Sequence, residues 1–180
     1  MTAMAANFTT TLIWIVVSFS ILTFANRKWK YNLFQTPENT NKTGVWVSVF
    51  LVFVVTAMMF MIWEGFKPWL EYQKKIALLG EFGWISFILQ NIYYVFEMLL
   101  ALIMVAFGQH ALDTITLKRN IPWGGFILGV MWGLPHIFTK NMLSGWLFFL
   151  VLGVILGLPY ILTNRNAKLA WLFMTVMFIL

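Results

Sequence analysis

Apolar residues arrive along this chain in long blocks, separated by short polar stretches that hold most of the charges. The first block covers about 10–25 and is followed at once by Arg27, Lys28 and Lys30. No basic segment precedes it and further blocks follow, so it reads as an uncleaved span and not as a secretory signal. A polar stretch over 31–43, with Pro37 and several Asn and Thr, reads as a loop. A second span covers about 45–63 and is closed by Glu64, Gly65 and Pro68. The stretch 69–81 sets Lys74 and Lys75 beside Ile76, Leu78 and Leu79, a pattern that suits a short helix in the membrane interface or the first turns of the next span.

The third span, about 83–107, is the polar one, with Gln90, Asn91, Tyr93, Tyr94 and Glu97. The fourth runs to about Thr139, with Asn120 as its expected cap and Pro122 in the first turn, where a missing N–H costs little. Lys140 and Asn141 turn the chain into a fifth span over about 143–162. A loop over 163–168 then leads to an apolar run at 169–180, which is short for a crossing that needs about 20 residues. The prediction is an all-α, polytopic transmembrane bundle of about six spans, forming one integral membrane domain over 1–180.

Composition narrows the picture. Of 180 residues 61% are hydrophobic and only 10% charged, against about 25% charged in soluble domains, and the mean hydropathy is +0.83. The absence of Cys removes disulfides, thiolate metal sites and Cys nucleophiles. A net charge of +6 is what the inner ends of membrane helices carry, where it meets anionic lipid, and it does not read as a nucleic-acid footprint. With six spans, the odd loops hold Arg27, Lys28, Lys30, Lys42, Lys118, Arg119, Arg165 and Lys168, against Lys67, Lys74, Lys75 and Lys140 in the even ones. Eight against four puts the odd loops inside and the N-terminus outside. The plasma membrane of a prokaryote is a separate expectation, independent of the charge count.

Glu97 lies near the middle of the third span, where an ionised carboxylate needs a partner. Gln90, Tyr93 and Tyr94 are spaced to share its side of a helix. That stripe is either a hydrogen-bonded packing face or the pocket of a general base or metal ligand. His136 follows Pro135 in Trp132-Gly-Leu-Pro-His136, where a proline bend beside a titratable ring can open a polar pocket or leave an interfacial residue. His110 and Asp113, at the end of the third span, are expected in a wet loop region. Glu97 and His136 could activate a water or share a divalent metal such as zinc, with His110 as a further candidate ligand. Gly125, Gly129 and Gly133 form one small-residue ridge, Gly153 and Gly157 another, and both predict close helix packing.

From about Tyr93 to Thr163 the chain resembles the intramembrane metalloproteases of the CAAX-processing and bacteriocin-processing type, the CPBP or Abi family. Phe96-Glu97-Met98 stands where the family has its glutamate pair, and Trp132-Gly-Leu-Pro-His136 is similar to its Phe-x-x-x-His motif. Ile121-Pro-Trp-Gly-Gly125 and the stretch from Gly153 through Tyr160 to Thr163-Asn164 add to the likeness. Met98 replaces the second glutamate, Ala101 and Leu102 occupy the two places for the arginine, and no His follows His136. The resemblance therefore implies a divergent, degenerate member that binds a hydrophobic peptide or membrane-protein partner. The alternatives are an active intramembrane metallopeptidase, with Glu97 as base and His136 as metal or oxyanion partner, and a small transporter or complex subunit. The short last run also suggests an oligomer, with a neighbouring subunit completing the final layer.

Overall fold

The computed structural model describes residues 3–35, 37–140 and 143–180, with the side chains of residues 3, 4, 6, 7, 135–140 and 143–146 outside that description. Seven helices are described: α1 (Ala3–Trp29), α2 (Lys42–Ile62), α3 (Lys67–Leu79), α4 (Gly83–Thr116), α5 (Trp123–Lys140), α6 (Leu143–Leu162) and α7 (Ala167–Ile179). No strand occurs among the described residues. An apolar chain in lipid must satisfy its backbone internally, and a helix does so within one segment. Phe8–Trp29, Lys42–Ile62 and the stretch Lys67–Thr116 are long and apolar enough to cross a bilayer, and Trp123–Leu134, Leu147–Leu162 and Ala167–Ile179 are shorter apolar helical segments. The protein is a helical membrane bundle.

Several predicted boundaries move. α4 has 34 residues, a rise of about 51 Å against a hydrocarbon core of about 30 Å, and it ends at Thr116 instead of near 107. α3 is a helix of its own, closed by Gly80 at φ +55° and a 3₁₀ turn over Gly80–Phe82. α7 has 13 residues, about 20 Å of rise. Four connections open on a non-glycine residue with positive φ: Lys30, Glu64, Leu117 and Asn164. Tyr31 N–H reaching Ala25 O and Gly65 N–H reaching Phe60 O close two of these ends.

The chain divides into two compact units. The first comprises Met1–Asn32, Val52–Leu100 and Thr175–Leu180. Ala25, Val55, Met59, Met98 and Leu99 are buried in it. Its α3 is amphipathic in an inverted sense. Lys67 and Glu71 point inward, while Trp69 and Leu78 are exposed, the arrangement expected of a helix whose surroundings are apolar. An added Cβ on Gly83 would meet the Ile76 backbone at 2.6 Å, so glycine permits the sharp return from α3 into α4.

The second unit comprises Leu33–Leu51 and Ala101–Met174. α5 and α6 pack backbone to backbone through the two predicted glycine ridges. A Cβ on Gly129 would meet Leu150 Cα at 2.8 Å and one on Gly125 would meet Val154 Cα at 2.9 Å, while Gly153 and Gly157 face Gly129 and Gly125. Gly133 is buried on the same helix. Trp132 packs against Phe149, the rings tilted at 59° with 5.4 Å between centroids.

Candidate functional site

The polar stripe predicted on the third span exists and has a counterpart on α3. Lys67 and Glu71 are one turn apart on α3, and both are buried, at 6% and 7% exposure. Gln90 and Tyr94 are one turn apart on α4, and Gln90 Nε2 donates to the Tyr94 hydroxyl at 2.5 Å. That hydroxyl donates in turn to Glu71 Oε1 at 3.0 Å. A second tyrosine and carboxylate pair lies beside the first, with Tyr93 hydrogen-bonded to Glu97 within α4. The Trp14 indole of α1 faces the Tyr93 hydroxyl, while Trp14 Nε1 stays outside hydrogen-bond geometry.

Lys67 is the cation shared by this cluster, close enough to both Glu71 and Glu97 to attract them. Its Nζ lies 5.1 Å from the Tyr94 ring centroid and 4.9 Å from that of Phe178, and the two rings meet edge to face at 5.0 Å. It also donates a hydrogen bond to Phe178 O. That carbonyl is in the last turn of α7, where backbone acceptors lack intrahelical donors. An ammonium out of water thus has two aromatic faces, a helix-end carbonyl and two carboxylates, which together offset part of its desolvation. One cation faces two carboxylates.

The predicted site residues divide between the two units. Gln90 pairs with Tyr94 and Tyr93 with Glu97, in the first. Trp132 belongs to the second unit, where it packs on Phe149. His110 is exposed at the surface of the second unit. Thirteen residues along one helix separate it from Glu97, about 20 Å of rise, which excludes a shared ion. The expected set of Glu97, His136 and His110 is therefore not assembled through His110. The His136 side chain lies outside the described residues. Among the described residues no three of His, Asp and Glu gather where a metal could be held. Lys67 and Glu71 escaped the sequence reading because charges near 69–81 suggest an interface. Their four-residue spacing was the available signal.

Asp113, expected to be wet, is 7% exposed and sits in a second polar centre. Gln109 is only 1% exposed. Its Nε2 donates to Asp113 Oδ1 at 2.7 Å and to Ile121 O at 2.9 Å, and its Oε1 accepts from Gly124 N at 3.0 Å. Arg165 Nη2 closes on Asp113 Oδ2 at 2.5 Å. The first turn of α5 is thus capped from α4 and not by Asn120, and the Pro122 carbonyl accepts the opening helical bond from Phe126 N. The connection after α6 is equally occupied. Thr163 Oγ1 donates to Pro159 O, Asn164 Nδ2 to Asn39 O, and Asn166 Nδ2 to Thr40 Oγ1, while Asn166 Oδ1 caps the Leu169 amide of α7.

Searches against protein-family models, curated proteins and solved structures find no match to this chain, so its site is read from its own residues.

Proposed function

We propose that this chain is a noncatalytic integral membrane protein, a degenerate relative of the CPBP or Abi family, that binds a hydrophobic peptide or membrane-protein partner. One observation carries the reading: the carboxylate that would be the general base is held by protein groups. Glu97 takes its hydrogen bond from Tyr93 and its counter-charge from Lys67, within a cluster whose other carboxylate is held by Tyr94. A water-activating base needs a lone pair aimed at water or substrate, and here a tyrosine hydrogen bond and a lysine charge engage the carboxylate from within the protein, which favours a packing role. The sequence departures at Met98, Ala101 and Leu102 agree with that.

The orientation we propose keeps the odd loops inside a prokaryotic plasma membrane and the N-terminus outside, with anionic lipid against the basic face. Its support is the charge bias, together with the hydrogen bonds from Asn164 and Asn166 to Asn39 and Thr40, which hold parts of the first and fifth connections against each other.

Photocrosslinking in intact membranes tests the functional reading, with a photoreactive residue in place of the exposed Trp69 in the natural chain and in Glu97→Gln. The same adducts in both are expected of a binding protein. Adducts that accumulate only in Glu97→Gln would mark a trapped substrate and overturn the reading in favour of a peptidase.

A further inference from the structure

α1 buries one face and, among the described residues of its own unit, leaves the opposite one exposed. Thr11, Ser18 and Ala25 recur every seven residues and are buried. Val16, Phe19 and Phe24 are 63%, 53% and 56% exposed. At 100° per residue, Ser20 stands 200° from Ser18, on the far side of the helix. Two rows of side chains four residues apart run along that far side, one through Ile15, Phe19, Thr23 and Arg27, the other through Val16, Ser20 and Phe24. Between them lies an open groove of about 600 Å³ lined by α1 alone.

The groove has a direction. From Ile15 to Arg27 it rises about 18 Å, close to one leaflet of a hydrocarbon core about 30 Å thick. Its walls are apolar for most of that length and end on the Arg27 guanidinium. Lys28 and Lys30 follow, both exposed, and α1 contains no acidic residue. Trp29 is 63% exposed and meets Phe24 edge to face at 5.4 Å, which puts an amphipathic ring where a span leaves the hydrocarbon. Among the described residues Arg27 has no ion pair.

We propose that this groove is a binding site for an anionic phospholipid, with an acyl chain between the two side-chain rows and the headgroup phosphate on Arg27. Charge complementarity selects the occupant. An apolar trough one leaflet long, ending in three cations without a compensating acid, matches an anionic lipid better than a second α1, which would bring its own three cations to the contact. Arg27 holds the phosphate, the exposed Lys28 and Lys30 raise the local attraction for anionic headgroups, and the short Ser20 and Thr23 side chains keep the rows low beside the trough. The inference rests on the membrane character of the protein and on none of the Glu97 chemistry, so the crosslinking result leaves it standing or falling separately.

Native mass spectrometry of the detergent-purified full chain, titrated with phosphatidylglycerol or with phosphatidylcholine of identical acyl chains, tests it. The expected result is tighter retention of phosphatidylglycerol, reduced about fivefold in Arg27→Ala, the loss of one cation near an anionic surface, and restored in Arg27→Lys. Ser20→Leu, which fills the trough at an exposed position, should weaken both lipids alike. Equal retention of the two lipids by the natural chain, or phosphatidylglycerol retention unchanged in Arg27→Ala, would overturn the proposal. So would a disulfide-linked dimer of Ser20→Cys forming in the membrane, since the chain has no other cysteine and the groove would then hold a second copy.

Discussion

The two units of this protein handle buried polar groups in opposite ways. The second gathers them into a centre where nearly every atom has a partner: Gln109 alone serves Asp113, Ile121 and Gly124, and Arg165 completes the charge. The first spreads charge over Lys67, Glu71 and Glu97 and balances it with aromatic faces and tyrosine hydroxyls. It also contains all five buried side-chain atoms without a hydrogen-bond partner among the described residues, on Trp14, Ser18, Thr56, Ser86 and Thr175. Saturated hydrogen bonding fixes a connection in place and leaves little chemistry free. A charge cluster in a unit that also holds unsatisfied polar atoms is costlier in lipid.

Removing the cation should expose that difference most strongly. Lys67→Met leaves Glu71 and Glu97 without their counter-charge and should lower stability by about 3 kcal/mol, measured by unfolding in mixed micelles. Adding Glu71→Gln should recover part of the loss, since Glu97 still lacks its counter-charge. If Lys67→Met alone is neutral, the cluster is not balanced by this lysine. A similar loss, about 2 to 3 kcal/mol, is expected of Gly129→Leu in the second unit, because the added Cβ meets Leu150 backbone that no rotamer change can move aside. Gly129→Ala in the same assay should show part of that cost.

Gln109→Ala should cost about 2 kcal/mol, since it leaves Asp113, Ile121 O and Gly124 N with lost partners in a buried site. Hydrogen exchange should rise first in the opening turn of α5. Asn166→Ala removes a cap and should cost about 1 kcal/mol, with faster exchange confined to the first turn of α7 and little change elsewhere. Equal effects from the two variants would mean that the Gln109 centre is no more than a helix cap.

The alternation of apolar and polar blocks was enough to read an all-helical membrane bundle, because a bilayer fixes both the length and the composition of a crossing. The α5–α6 seam was equally legible, since glycines four apart have few other uses in an apolar helix. The Glu97 stripe could be seen because its members share one helix. What stayed hidden depends on pairing between distant segments. Lys67 and Glu71 look like interfacial charges until α3 is seen to turn them inward against α4 and the end of α7. Gln109 looks like any polar residue near a helix end, although it caps a helix beginning fourteen residues later. Asn120 was the better local candidate for that cap, and it lost to a longer side chain already held in place by Asp113 and Ile121.

The central claim is that Glu97 is held by protein groups and not by a metal. Bound-metal content of the detergent-purified full chain, kept free of chelator and compared with His136→Ala, tests it most directly. Divalent metal far below one per chain, and equal in the two proteins, is expected. Near-stoichiometric zinc or another divalent ion in the natural chain, lost in His136→Ala, would contradict it and make the protein a metallopeptidase candidate.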